Sequence, residues 1–342
     1  MMEQVRFGIL GCGVVANYHA QAIADTEGAE LVCACGRTPE STERFCKAQG
    51  IRPMGSYEEM LASPEVDAIC ICTPSGLHAE EAIAALTAGK HLVIEKPVSI
   101  ENADADRIMA AAEAAGTTVC VISQFRFSDA AKEIRAAMDR GDFGTLVSAA
   151  LTMRYYRGQE YYDSGAWRGT KSLDGGGILM NQGIHGVDVL AYLMGPVREL
   201  MGYTRTRLRN IEVEDTACAV LNFENGAIGT IDATVCNKGG SPLRIEICGE
   251  KGSVVLEDEA IIHWGLECPC SVPVGVRSAS SAGASPTGIS TENHTRQFRN
   301  FVAAVQGREP VAVSVRDGRH ALQIVCGVYE SAKTGKPVTL DY

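Results

Sequence analysis

Three short segments carry residues whose types and spacing can do chemistry. Gly11-Cys12-Gly13-Val14-Val15-Ala16 is a G-x-G-x-x-A run directly behind an apolar stretch, Val5–Leu10. In that setting Gly11 permits a tight turn and Gly13 lets the backbone approach a pyrophosphate. Ala16 keeps strand and helix close, and the helix N-terminus faces the phosphates. The second segment, Glu95-Lys96-Pro97, follows the apolar run His91–Ile94, at the strand end where open α/β sheets bind ligands. A lysine there can lower the pKa of a substrate hydroxyl; an isolated string of this kind also reads as a salt-bridged surface turn. The third segment runs from Gly175-Gly176-Gly177 to Asn181, His185 and Asp188. On a helix, positions 181, 185 and 188 share a face and stack an amide, an imidazole and a carboxylate among apolar neighbours. Buried polar groups need partners or a purpose.

The cofactor type is addressed at the end of the second strand. An NAD enzyme places an acidic residue about 20 residues past the glycine motif, for the ribose 2′-hydroxyl. This chain has Gly36-Arg37-Thr38 instead. A guanidinium and a hydroxyl in place of a carboxylate suit a 2′-phosphate, so NADP is favoured, with NAD the alternative.

The elements that must position these groups alternate through the first third: strands over 5–10, 30–35, 68–72, 91–94 and 118–122, and helices over 14–26, 39–49, 78–88 and 103–115. Such alternation implies right-handed crossovers and a parallel sheet covered on both faces. After a helix over 130–140 come β-like runs at 146–155, 218–223, 227–235, 243–248 and 253–256. A helix over 177–193 interrupts them, and another follows at 294–306. The expected architecture is an α/β Rossmann domain over 1–124 and an α+β domain over 125–342 with an open, mostly antiparallel sheet. The stretch 268–290, rich in Ser, Gly, Ala and Pro, reads as a long surface loop.

Composition narrows the function classes. The 342 residues are 46% apolar and carry a net charge of −11, so nucleic acid is not an expected partner. Arg205, Arg207 and Arg209 alternate as on an exposed strand face or loop. Several of the thirteen cysteines sit in strand-like runs, as at 33, 35, 70 and 72, where a thiol packs as a small hydrophobe. A reducing cytoplasm is the expectation. Cys268 and Cys270 lack the rest of a metal-binding pattern, and no metal is expected. No stretch approaches the ~20 apolar residues of a membrane span.

Taken jointly, the glycine run, Thr73-Pro74-Ser75-Gly76-Leu77-His78, Glu95-Lys96-Pro97 and the G-G-G…Asn181…His185…Asp188 segment resemble the Gfo/Idh/MocA oxidoreductases over essentially the whole chain. The resemblance implies a CH–OH dehydrogenase with Lys96 and His185 as catalytic residues. It implies cofactor contacts from Gly11, Gly13, Val14, Val15, Gly36, Arg37, Thr38, Thr73, Pro74, His78, Glu95, Lys96, Gln124, Trp167 and Arg168. Substrate contacts are expected from Asn181, Asp188, Tyr156 and Tyr162, the tyrosines lying in an aromatic run with Tyr155, Arg157 and Tyr161. The substrate is expected to be a sugar, sugar derivative or cyclitol, and the assembly a homodimer or homotetramer built on the sheet's outer face. Asn181 stands where many members have Asp, and Ser75 where Asn is common. Two other activities share the architecture: an NAD-dependent glycosidase without net redox change, and a non-catalytic NAD(P)-binding regulator.

Overall fold

A computed structural model describes residues 4–276 and 290–341. Two compact units divide the chain: Met1–Gln124 with Ser290–Arg319, and Phe125–Ile289 with His320–Tyr342. The second domain expected over 125–342 is interrupted, because the segment Ser290–Arg319 joins the first unit. Most of the loop expected over 268–290 lies outside the described residues.

In the first unit, β1 (Val5–Leu10), β2 (Ala29–Cys35), β3 (Arg52–Pro53), β4 (Ala68–Ile71), β5 (His91–Ile94) and β6 (Val119–Val121) form one sheet in the order β3-β2-β1-β4-β5-β6. All of its pairings are parallel. The strands are apolar on both faces because helices cover both. These are α1 (Val14–Ala24), α2 (Pro39–Gln49), α3 (Tyr57–Ala62), α4 (His78–Thr87) and α5 (Asn102–Ala115). Strand order reverses between β1 and β4, and a ligand crevice opens at such a switch point, beyond the strands' C-terminal ends.

In the second unit, α6 (Asp129–Asp139), β7 (Leu146–Arg154) and α7 (Gln159–Asp163) precede a π-turn at Ile178–Gln182 and helix α8 (Ile184–Met194). The strands β8 (Val197–Arg205), β9 (Thr216–Phe223), β10 (Ile228–Thr234), β11 (Arg244–Gly249), β12 (Gly252–Glu257) and β13 (Ala260–Trp264) follow. Helix α9 (Glu292–Val305) returns to the first unit, where Phe298 and Phe301 pack on Phe7 of β1 with ring centroids 5.7 and 5.8 Å apart. This burial of aromatic surface ties 290–319 to the first core. The chain closes with α10 (Val315–Thr334) and β14 (Val338–Thr339).

The second sheet runs β13-β12-β11-β7-β10-β9-β8-β14, antiparallel except for β7 with β10. Alternation sorts its faces: Ala217, Ala219, Leu221 and Phe223 of β9 point inward, with Cys218 and Val220 outward. Gly186 brings α8 against β7, since a Cβ there would meet Met153 Sδ at 2.7 Å. The outer face exposes Val147, Tyr203, Val220 and Ile228. A depression of about 550 Å³ on this sheet is lined by residues such as Met201, Val220, Ile228 and Glu246, away from the 174–185 segment.

One sequence expectation is corrected here. The helix expected over 177–193 is not uniform: Gly183 N–H donates to Ile178 O, five residues back, before α8 begins. Asn181 and His185 therefore do not stand in simple α-helical register. Of the two settings expected for the alternating arginines, Arg207 and Arg209 take the loop: they follow β8 in a turn whose backbone N–H groups at 207, 208 and 209 all donate to the Asp215 carboxylate.

Asp188 of α8 is gripped by Arg126, with Nε–Oδ2 at 2.8 Å and Nη2–Oδ1 at 2.7 Å, both side chains 7% exposed. Arg126 also lies 4.9 Å from the Tyr192 ring centroid. Removing one charge of a buried pair strands the other. Asp188→Asn is expected to lower unfolding free energy by about 3 kcal/mol, read as a drop in the urea midpoint at unchanged slope; a midpoint equal to the parent's would contradict the structural role.

Candidate functional site

The crevice edge of the first unit is built by turns that only certain residues allow. Gly11, at φ +98°, passes so near the end of β4 that a Cβ would lie 2.6 Å from Cys72 O. Gly13 heads α1, yet a Cβ there would meet nothing within 4 Å. Its own protein does not demand that glycine; a ligand pressed against the backbone would. No side chain caps α1, and Val14 at its first position is 61% exposed. First-turn N–H groups without intrahelical partners are the donors a pyrophosphate uses. The residues present therefore fit a dinucleotide.

Neighbouring strand ends complete the edge. Beyond β2, Gly36 N–H donates to Thr42 Oγ1. Thr38 caps α2, its hydroxyl accepting from Ser41 N–H at 3.3 Å. Arg37 is exposed and has no hydrogen-bond or ion-pair partner among the described residues. After β4, Thr73 donates through its hydroxyl to Glu81, whose carboxyl burial pushes up to about 7. Pro74 follows Thr73 and precedes the short turn into α4. His78 bridges two loops, Nε2 lying 3.0 Å from Thr73 O and Nδ1 2.8 Å from Pro97 O. It thus ties the Thr73-Pro74 turn to the Glu95-Lys96-Pro97 turn. Gln124, after β6, is buried with Oε1 unsatisfied among the described residues.

Behind Lys96 lies a cluster that sequence reading missed. Glu95, 5% exposed, receives His19 Nε2 at 2.8 Å on Oε1 and the Lys96 N–H at 3.0 Å on Oε2. Burial alone would raise this carboxyl; the His19 hydrogen bond and the charges of His19, Lys96 and His294 outweigh it and bring it down to about 2. Glu95 is therefore an ionised anchor for the backbone that carries Lys96. His294 of α9, its ring centroid 6.3 Å from that of His19, is pushed down to about 4 by burial. The sequence signal was available: a histidine at 19 inside the apolar face of α1 demands a polar partner.

In the second unit, the last of the three glycines is held by a buried carboxylate 37 positions downstream of it. Glu214 accepts from Gly177 N–H at 2.8 Å, Leu179 N–H at 2.9 Å and the Tyr329 hydroxyl at 2.9 Å. Burial raises its carboxyl and those bonds pull it back, leaving it at about 6. A Cβ on Gly177 would sit 1.6 Å from Glu214 O. This clamp fixes the π-turn that carries Asn181 and leads to His185. Asn181 Nδ2 donates to Asp174 Oδ1 at 2.7 Å, and Gly169 N–H donates to Oδ2 at 2.8 Å. The carboxylate that position 181 lacks is thus supplied at its side by Asp174. His185 is partly exposed, its ring 5.2 Å from that of Phe125.

The aromatic run divides. Tyr161 joins Trp167, Arg168 and Gln182, and packs edge-on against Tyr162, whose hydroxyl is buried without a partner among the described residues. Tyr156 lies under Arg209, 5.4 Å from ring centroid to guanidinium. Asp188 is not in this cluster, being held by Arg126. Among the described residues no group of three or more His, Cys, Asp or Glu is arranged to hold a metal, and no helix is long and apolar enough to cross a membrane.

Residues 5–123 match the family described as oxidoreductases with an NAD-binding Rossmann fold, and residues 131–255 match the GFO/IDH/MocA C-terminal domain. A solved structure of the WlbA dehydrogenase of Bordetella pertussis, in complex with NADH and UDP-GlcNAcA, is 33% identical. Each of the two chains is covered to 99%, with a TM-score of 0.89. This chain belongs to the Gfo/Idh/MocA oxidoreductase family. Among curated relatives, scyllo-inositol 2-dehydrogenase (NAD(+)) of Bacillus subtilis is 27% identical over all of this chain and 98% of its own length. Myo-inositol 2-dehydrogenase of Thermotoga maritima is 25% identical, with 98% and 99% covered. The match over 5–123 makes the parallel sheet of the first unit an NAD-binding Rossmann fold.

The buried His294 gives the first unit a pH signature. Its folded-state pKa lies below the ordinary 6.5, so between about 6.5 and 4 the unfolded chain binds a proton that the native state refuses. Stability must fall as pH drops through that window, by up to about 3 kcal/mol from this group. Glu95 adds its loss only below about 4.5, where its unfolded carboxyl protonates. His294→Phe is expected to flatten the decline in melting temperature between pH 6.5 and 5; an identical slope in parent and variant would contradict the assignment.

Proposed function

We propose that the chain transfers a hydride between the CH–OH group of a sugar, sugar derivative or cyclitol and a nicotinamide dinucleotide. The observation that carries this is the crevice edge of the first unit. An uncapped helix N-terminus over Gly11 and Gly13 shares one sheet edge with Lys96, which follows β5. The named activities of the inositol dehydrogenase relatives support the substrate class. The first unit is the cofactor-binding domain and the second the substrate-binding and oligomerisation domain. The apolar outer face of the second sheet supports a homodimer or homotetramer.

The roles follow from chemistry. Bound nicotinamide supplies the hydride acceptor. The Lys96 ammonium donates to the substrate oxygen and stabilises developing alkoxide. The His185 imidazole takes the hydroxyl proton as general base. Asn181, whose amide nitrogen donates to Asp174, is placed as a hydrogen-bonding contact for a substrate hydroxyl. Glu95 and His78 act on Lys96 and Thr73 through the backbone. Asp188 is left out of the substrate set because Arg126 occupies both its oxygens.

For the cofactor, the finer reading is NADP. Arg37 stands beyond the end of β2 with no hydrogen-bond or ion-pair partner among the described residues, and no carboxylate occupies positions 35–38. Thr38 is committed to its cap and contributes position rather than its hydroxyl. The solved relative named above is in complex with NADH, so the assignment rests on this chain's own residues.

Two measurements test these readings. With a panel of sugars and cyclitols, Lys96→Ala is expected to lower kcat by roughly 10²–10³ while cofactor affinity, read by fluorescence titration, stays close to the parent's. Turnover at the parent's rate would remove Lys96 from the chemistry, and glycoside cleavage without net nicotinamide reduction would replace the reaction itself. Arg37→Ala is expected to raise KM for NADP by about tenfold or more with little change for NAD. Equal changes for both cofactors would place Arg37 away from the 2′-phosphate.

A further inference from the structure

Three consecutive backbone N–H groups open the π-turn, and all three end on one residue far along the chain. Gly177 N–H donates to Glu214 Oε2 at 2.8 Å, Ile178 N–H to the Glu214 carbonyl at 3.2 Å and Leu179 N–H to Oε1 at 2.9 Å. Groups at the start of a helical turn have no partner within it. Here a single acid, two residues before β9, caps them from outside. The Tyr329 hydroxyl of α10 adds a third bond to the carboxylate, 2.9 Å from Oε1. Burial and the Glu214 charge raise the Tyr329 phenol far above its ordinary value, so it stays protonated and donates. The fit is close on the glycine side as well, since a Cβ on Gly176 would lie 2.2 Å from Tyr329 Oη.

The capped residues lead directly to those assigned to substrate. Asn181 N–H donates to Gly177 O at 2.9 Å, and Gly183 N–H to Ile178 O at 2.6 Å. Glu214 thus grips residues 177 and 178 by their N–H groups, and they grip 181 and 183 by their carbonyls. Gly183 is the N-cap of α8, whose second residue is His185. Only the ionised acid suits this arrangement. A protonated carboxyl brings its own hydrogen against donors from Gly177, Leu179 and Tyr329 already aimed at its oxygens, so a bond must break or reverse. Glu214 is 7% exposed and forms no ion pair among the described residues. Burial raises it, the bonds from Leu179, Gly177 and Tyr329 pull it back, and the balance lies at about 6. The titratable groups that face it are Tyr329 of α10, with Cys326 behind it, and Tyr162 of α7. Asp215, next to it in the chain, is turned to the 207–209 amides.

We infer that Glu214 is a positioning residue for hydride transfer: as a carboxylate it caps the π-turn and fixes where Asn181 and His185 stand, and as a neutral acid it releases them. The inference deepens the dehydrogenase reading and rests on it for the reaction alone. Tyr329 tunes the acid by donating to it. Both act through the backbone of residues 177–183 rather than on substrate.

Two readouts on the full chain test this. The first is the pH dependence of kcat with a sugar or cyclitol that the parent oxidises. Tyr329→Phe removes one donor, so the carboxylate takes its proton more readily. The acid limb of kcat is therefore expected to move up by about one pH unit. Glu214→Gln sets an amide NH2 against backbone donors and is expected to lower kcat roughly tenfold to a hundredfold, with KM for the dinucleotide close to the parent's. The second readout is amide NMR of chain with isotope-labelled leucine and asparagine, without substrate. The Leu179 and Asn181 resonances are expected to move together with a midpoint at about pH 6. That midpoint rises in Tyr329→Phe, and the step is lost in Glu214→Gln. Tyr329→Phe leaving either the acid limb or the amide midpoint in place would overturn the inference, as would Glu214→Gln turning over at the parent's rate. Should Glu214→Gln fail to fold, Tyr329→Phe decides alone. A parent that reduces no nicotinamide with any polyol would count against the dehydrogenase reading, and the amide titration would still decide whether Glu214 governs the turn.

Discussion

The first unit depends on one close approach. At Gly11 the chain leaves β1 and turns over the Cys72 carbonyl at the end of β4, nearer than any side chain permits. Because β1 and β4 flank the switch in strand order, that turn aims the bare N-terminus of α1 along the crevice edge. The rest of the edge is arranged around it. His78 links the β4 and β5 turns through two carbonyls, and the ionised Glu95 fixes the backbone of Lys96 from behind. The site is thus a set of strand ends held in register by buried polar contacts, each located where an unsatisfied group would be expensive.

The second unit solves a comparable problem with a carboxylate. Glu214 collects two backbone N–H groups and a tyrosine hydroxyl and thereby fixes the start of a π-turn. Such one-turn widenings recur at functional sites because they re-aim side chains. Here the turn sends Asn181 to Asp174 and Gln182 to Tyr161. Three consecutive residues, 181 to 183, consequently do three different things: orient an amide, tune a phenol and close the turn.

What the sequence makes legible is local. The apolar runs of β1 and β5 and the Pro39-started α2 announce their bounds, since strand burial and helix capping leave marks within a few residues. Asp174, Glu214 and Tyr329 are not legible in this way; their partners stand 7, 37 and 115 positions off. The long α10 holds Gly318 and Gly327 at close-packing points against Val121 and Leu340, contacts that its local sequence does not announce. The return of α9 to the first core depends on Phe298 and Phe301 meeting Phe7, which no periodicity reveals. Lys96 and His185 stand out in the sequence only through the joint spacing of several motifs.

The account stands or falls on hydride moving from a carbinol carbon to the nicotinamide. The most direct measurement is to turn over a perdeuterated sugar or cyclitol with oxidised cofactor and analyse the recovered dinucleotide by mass spectrometry. The account predicts one deuterium in each reduced nicotinamide formed, in step with the oxidised product. Product formed while the recovered cofactor stays oxidised and unlabelled would contradict it.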